Sequence, residues 1–286
     1  MTKALTRTLK LLELNRIDRD IYTWNGKSVG FQRIFGGQIM AQCLVAAYQT
    51  VEKKRTAHSF HSYFLRPGDF NQNIIFDVDR IRDGKSFTTR RVNAIQDGEA
   101  IFSCSISFQK REKGLSHQIK MPDVLGPEGL QSEWEIRNKM KSKIAKEYLP
   151  MWLREREIEM RQVESYDLLK PKKLPPYRNT WMKPTGKLPQ DERIHQALLL
   201  YVSDMGLLGA AVNPHEVNFM SKNFQSASLD HVMWFHGKIN FNNWLLYHIN
   251  SPISQNARGF SRGSIYTKSG KLIASTSQEG LMRVWE

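Results

Sequence analysis

The second half of this 286-residue chain repeats the first, and no other feature restricts its fold as strongly. Phe64 and Phe70 recur as Phe235 and Phe241, Arg90 recurs as Arg262, and the turn pair Asp97-Gly98 recurs as Ser269-Gly270. The offset stays within roughly 171–173 residues over four expected strands, which marks a duplicated unit where one matched pair would be chance.

The first copy reads as a helix followed by an antiparallel run of strands. Over 36–48, apolar residues fall at 40, 43, 44, 47 and 48, the spacing of a helix. Gly36 and Gly37 at its start allow close approach and leave free backbone N–H groups there. Strands are expected over 58–65, 73–79, 86–95 and 100–108, punctuated by Arg66-Pro67-Gly68, Asp83-Gly84 and Asp97-Gly98. The second copy has its helix over 193–202 and its strands over 229–236, 244–249, 257–266 and 271–278. Between the copies charge dominates and Pro122, Pro127 and Pro150 punctuate, which reads as a connector with an exposed helix over 133–146. The expected organisation is an N-terminal unit 1–110, a charged connector 111–166 and a C-terminal unit 167–286. A long helix across an antiparallel sheet, twice, is an α+β arrangement whose sheets pair edge to edge or pack together. That geometry is a double hotdog, each sheet wrapping its own helix.

Composition narrows the function classes. Forty-two Lys and Arg against 28 Asp and Glu give a net charge of +14, which suits an anionic partner. The basic residues are scattered, and no zinc-finger, basic-zipper or RNA-binding signature is present, so no nucleic-acid partner is expected. No apolar stretch is long enough for a membrane span, and the start lacks the apolar core of a signal peptide. The run from Met282 to Glu286 is not a peroxisomal address, and Cys43 and Cys104 make no disulfide framework. A soluble, reducing, cytoplasmic setting is the expectation.

Several motifs fail on inspection. Gly259-Phe260-Ser261-Arg262-Gly263 has the form of a serine nucleophile elbow, but it falls inside an alternating strand and no His follows His248. Ser261 therefore reads as a strand hydroxyl, and the glycines as permitting close packing or a ligand's approach. Gly26-Lys27-Ser28 and Gly84-Lys85-Ser86 lack the upstream glycine of a phosphate loop, with Ile21 and Asp79 in its place. The histidines form no H-E-x-x-H pair, and His231 and His236 face opposite sides of one strand, so neither metal nor cofactor is expected. His58 reads as a hydrogen-bonded strand histidine or as a general base. Asp204 follows the second helix among Met205, Leu207 and Leu208, where a carboxylate needs partners or its pKa rises. It reads either as a turn residue closing the helix or as a base that orients water, and Ser228 and Gln278 are polar groups that could meet it.

The most specific segments are Phe35-Gly36-Gly37-Gln38, the run from His58 to Gly68, Arg90-Arg91-Val92, and Leu229-Asp230-His231 with Trp234-Phe235-His236. To these add Trp244-Leu245-Leu246-Tyr247, Ala257-Arg258-Gly259-Phe260, and Ala274-Ser275-Thr276 with Gln278-Glu279-Gly280. On them the chain resembles the acyl-CoA thioesterase II family of double-hotdog enzymes over nearly its whole length, most weakly in the connector and the termini. The resemblance implies hydrolysis of fatty acyl-CoA thioesters by a water held by an Asp, a Thr or Ser, and a Gln. Asp204, Ser228 and Gln278 stand at those positions, with Ser228 where some bacterial members have Thr. The resemblance also implies an acyl-CoA substrate and a homo-oligomer, a dimer of double hotdogs or larger. CoA phosphates suit the basic surface, with Arg258 and Arg262 as candidates to bind them.

Local chemistry makes the N–H groups opening the Gly36-Gly37 helix candidate oxyanion donors, with Gly37 the point of ligand approach. Two other functions on the same fold stay open at this level. One is an acyl-CoA hydratase or dehydratase, for which His58 would be the best base. The other is a non-catalytic acyl-CoA-binding protein.

Overall fold

The structure, a computed structural model, describes residues 1–26, 33–164 and 171–285. Lys27 and Ser28 of the first Gly-Lys-Ser turn, and the boundary expected between 166 and 167, lie outside the described residues. The first half contains α1 (Lys3–Leu11), β1 (Asn15–Asp18), β2 (Ile21–Trp24), α2 (Gly36–Tyr48), β3 (Arg55–Phe64), β4 (Ile74–Asp83), β5 (Phe87–Gln96) and β6 (Glu99–Lys110). Then come α3 (Glu133–Met140) and α4 (Leu149–Trp152), and β7 (Ile158–Gln162) and β8 (Tyr177–Pro184) lead into α5 (Glu192–Ser203) and α6 (Gly209–Val212). The chain closes with β9 (Phe224–Ser228), β10 (Asp230–Phe235), β11 (Leu245–Gln255), β12 (Arg258–Thr267) and β13 (Leu272–Val284).

All the strands join one antiparallel sheet in the order β1-β2-β4-β5-β6-β3-β10-β13-β12-β11-β8-β7, with β9 also on β13. The halves therefore meet edge to edge at β3 and β10. In that ladder His61 lies opposite Val232, a pair 171 residues apart, so a pseudo-twofold axis passes through it. The alternation along β5 puts Thr88, Arg90, Val92 and Ala94 under the helix layer. α2 is buried nearly all round, as its apolar composition requires, and its alanines let α5 and the sheet approach closely. α2 and α5 lie side by side and antiparallel, since Gly37 at the start of α2 meets Asp204 at the end of α5, while Arg193 at the start of α5 meets Tyr48 at the end of α2.

Asp97 and Gly98 both have positive φ, 48° and 75°, the geometry of a two-residue hairpin turn. Asn256 and Ala257 adopt the same geometry at 51° and 55°, so the strand expected from 257 begins at Arg258 instead. The helix expected over 133–146 stops at Met140 and gives way to 3-10 turns. A Ser132–Glu135 capping box starts it, but it buries only Arg137, so no apolar face is packed to carry the helix further.

The stretch read as a connector also supplies β7 to the sheet. Its residues Met121, Val124 and Leu130 cover Trp181, Leu246 and Tyr266 on the sheet face opposite the main core. No described helix is long and apolar enough to cross a membrane.

Candidate active site

Asp204 is the C-cap of α5, where a carboxylate opposes that helix's own dipole. α2 provides the compensation. Its N-cap residue, Phe35, has no polar side chain to close the first turn, and the antiparallel packing brings that turn to Asp204. The Gly37 N–H donates to Asp204 Oδ2 at 3.1 Å, so the carboxylate caps α2 from another element. A Cβ on Gly36 would stand 2.7 Å from Asp204 Oδ2 and 2.8 Å from the Phe64 ring. One on Gly37 would stand 2.1 Å from the Tyr201 carbonyl oxygen. Both glycines are therefore needed for the approach.

The other carboxylate oxygen faces the sheet. β9 and β10 both pair with β13, and the kink between them at Leu229 brings Ser228 beside Gln278. Gln278 Nε2 donates to Ser228 Oγ at 2.8 Å, and the Ser228 hydroxyl donates to Asp204 Oδ1 over a longer 3.4 Å. Behind Gln278, its Oε1 lies 2.7 Å from His231 Nδ1, and His231 Nε2 lies 2.9 Å from Ser203 Oγ. Burial pushes the Asp204 carboxyl above the usual carboxylate range, although His231, the Gly37 N–H, Ser228 and Gln278 all pull the other way. Burial also holds His231 below the ordinary imidazole value against the pull of Asp204, which favours the neutral ring.

An ionised carboxylate with a raised pKa, beside a hydroxyl and an amide, can take a proton from water while the neighbours fix the water oxygen. Next to this turn a cavity of about 330 Å³ opens, with Phe35, Met160, Met182, Met205 and Ile249 in its wall.

Residues 152–281 match the sequence profile described as acyl-CoA thioesterase, and residues 25–109 match that of the acyl-CoA thioesterase N-terminal domain. The chain is 38% identical over 286 residues to acyl-CoA thioesterase 2 of Haemophilus influenzae, covering 100% of both proteins. The chain belongs to the acyl-CoA thioesterase family. The crystal structure of an acyl-CoA thioesterase II from Mycobacterium marinum, 36% identical, superposes with a TM-score of 0.80 over 98% of this chain and 99% of that one. A hot dog-fold protein of unknown function from Alicyclobacillus acidocaldarius, 18% identical, has a TM-score of 0.78 over 100% of both chains and shares the fold. The α+β double hotdog is thus the fold this family member adopts.

Asp204, Ser228, Gln278 and Gly37 come together in the structure, and His58 does not join them. His58 Nε2 is 2.8 Å from Ser107 Oγ and its ring meets Phe87 edge-on at 5.5 Å, with exposed neighbours on the sheet face turned away from α2. Ser261 lies opposite Gln278 across β12 and β13, fully buried, with no hydrogen-bond partner for its hydroxyl. The glycines around it serve packing: a Cβ would stand 2.3 Å from Met282 Sδ at Gly259 and 2.3 Å from the Tyr247 ring at Gly263. On the surface, Arg258 pairs with Glu279 at 2.8 Å and Arg262 donates to Asn250 at 3.3 Å. Sequence reasoning missed His231 and Ser203 as members of the site, and named Gly36 only as part of the helix opening. The signal for His231 was its place in the alternation with Met233 and Phe235, which put an imidazole on the buried face.

Proposed function

We propose that this chain hydrolyses fatty acyl-CoA to free fatty acid and CoA, with Asp204 as the base that activates water. The observation that carries the reading is the linked run from Gln278 through Ser228 to a half-buried carboxylate whose pKa is raised. Asp204 takes a proton from the water as its oxygen bonds to the thioester carbon, and Ser228 and Gln278 hold that oxygen in place. Collapse of the tetrahedral adduct breaks the C–S bond, and the thiolate of CoA recovers the proton from Asp204. The start of α2 offers its positive end to the developing oxyanion, with the Gly37 N–H shared between base and substrate.

The apolar part of the cavity wall, Phe35, Met160, Met182, Met205 and Ile249, supports the binding of an acyl chain, while Arg154, Arg156 and Arg178 in the same wall and the net charge of +14 support the binding of an anionic CoA. We place the enzyme in cytoplasmic lipid metabolism as a homo-oligomer. Free-thiol release from a chain-length series of acyl-CoAs tests the reading. The wild type turns over, and Asp204→Ala loses about 10²–10⁴-fold in kcat. Turnover that survives this substitution would move the base elsewhere.

A further inference from the structure

We propose that His231 is a positioning residue: as a neutral imidazole protonated on Nδ1, it fixes the side-chain amide of Gln278 so that each donor in the buried chain points toward Asp204. The proposal rests on the reading of Asp204, Ser228 and Gln278 given above. The chain runs Ser203–His231–Gln278–Ser228–Asp204, with contacts of 2.9, 2.7, 2.8 and 3.4 Å.

Two directions of donation can satisfy it. With the proton on Nδ1, His231 donates to Gln278 Oε1, Gln278 Nε2 donates to Ser228 Oγ, and Ser228 gives its one proton to the carboxylate. The Ser203 hydroxyl, which also reaches Leu200 O at 2.8 Å, then turns to His231 Nε2. With the proton on Nε2, the bare Nδ1 needs a donor and the amide must turn over. Its carbonyl oxygen then draws the Ser228 proton, and the half-buried carboxylate loses that bond. An ionised Asp204 favours the first direction, because the second leaves Oδ1 without the Ser228 proton and only the Gly37 N–H, on Oδ2, still bonded to the carboxylate.

Bulk water does not reach the inner links, since His231 and Ser203 are 0% exposed and Gln278 is 2%, while Ser228 and Asp204 at the outer end are half-buried. The backbone that carries these side chains is also held. Ser62 Oγ donates to the His231 carbonyl at 2.8 Å, and Tyr247 OH donates to the Ser203 carbonyl at 3.0 Å. His231 is thus argued to act through Gln278 and not on the thioester.

The test uses His231→Asn and His231→Gln in the full-length protein with a long-chain acyl-CoA. Asn carries an amide N–H near the place of Nδ1–H, whereas Gln carries one near Nε2–H. His231→Gln is expected to lose about 10–100-fold in kcat with KM within about twofold, to the level of Gln278→Ala. His231→Asn is expected to recover kcat to within about fivefold of the wild type, and the His231→Gln/Gln278→Ala double variant to fall no further than Gln278→Ala. Wild-type kcat in His231→Gln, an equal fall in both His231 variants, or a double variant lower by the product of the singles would overturn the proposal. Asp204→Ala measured alongside separates the two readings: turnover that survives it removes the base itself, and its loss beside an unaffected His231→Gln removes only His231. Should neither variant fold, the imidazole ¹⁵N shifts of the wild type decide, since a proton on Nε2 contradicts the proposal.

Discussion

Gly36→Ala isolates the position of the base from the stability of the fold. The added Cβ would sit 2.7 Å from Asp204 Oδ2, whereas ordinary contact begins at 3.4 Å, so the carboxylate must retreat by about 0.7 Å. That retreat strains the bonds Asp204 makes to the Gly37 N–H at 3.1 Å and to Ser228 at 3.4 Å. A misplacement of about 1 Å costs on the order of 10²-fold in rate, so a loss of about 10–100-fold in kcat is expected, about 1.4–2.7 kcal/mol of barrier. Stability should change little. The residue opens α2, where Ala is favoured over Gly by about 0.5–1 kcal/mol, and the second clash, 2.8 Å from Phe64, is with the far side of a ring. Free-thiol release at saturating acyl-CoA, read beside a thermal melt, checks both. A kcat within twofold of the wild type would refute the reasoning, and so would a collapse of the melt, which would mean that the backbone yields and not the carboxylate. Gly37→Ala is the contrast, because its Cβ meets a backbone oxygen at 2.1 Å. It should unfold or destabilise the protein by more than about 3 kcal/mol.

Asp204→Asn should raise the melting temperature at pH 7–8 while abolishing turnover. The folded pKa of Asp204 is raised above the unfolded value, so between the two values the folded state holds a proton that the unfolded state has released. Stability therefore falls as pH rises through that interval, and the advantage of Asn should fade as pH drops toward the ordinary 3.8. For the same reason the acid limb of the kcat/KM profile should have its midpoint above 3.8, and a midpoint at or below it would refute the assignment of the base. Ser228→Thr keeps the hydroxyl and should retain kcat within about threefold, whereas Ser228→Ala should lose about 10–100-fold; equal rates would remove the hydroxyl from the site. Ser261→Ala deletes a buried, unpartnered hydroxyl and should melt no lower than the wild type with kcat within about twofold. His58→Ala should likewise keep its rate, and a large loss would revive the hydratase-type base.

The duplicated core was legible because it depends on periodicity. The helix over 36–48 and the strands of β3 to β6 and β10 to β13 begin within a few residues of their expected places, since alternation and turn pairs such as Asp97-Gly98 are local signals, although β11 and β13 each run six residues further than expected. β1, β2, β7 and β8 were not legible. β1 and β2 are four residues long and β7 five, and β8 is buried on both faces, so none shows a clean alternation. At the site, Asp204 stood out as a carboxylate among apolar residues. The role of His231 was hidden because its partner Gln278 is 47 residues away and reaches it only through the β10–β13 register. Gly36 was visible as a helix opening, but the need for it lies in the approach of Asp204, which tertiary packing alone determines.

The pseudo-twofold axis raises the question of why the proposed site has no counterpart at the symmetry-related place. Antiparallel packing of α2 and α5 creates two equivalent corners, each joining the start of one helix to the end of the other. At one corner the end of α5 presents Asp204 to the open N–H of Gly37. At the other, the end of α2 leads to Thr50, and the start of α5 is capped by its own Asp191, which accepts from the Arg193 N–H at 3.0 Å, not by a carboxylate from the end of α2. Arg193 donates there to the carbonyls of Tyr48 and Glu52, at 3.2 and 3.1 Å. Arg90, 1% exposed, fills the space with bonds to Thr50 Oγ1 at 2.8 Å and to its carbonyl at 3.1 Å. The second helix end is thus satisfied by guanidinium groups, which complement a helix C-terminus and stabilise it. Duplication supplied two frames with the same packing. Because Asp204 takes the Gly37 N–H from the other half and meets Ser228 and Gln278 in its own, the proposed site draws on both.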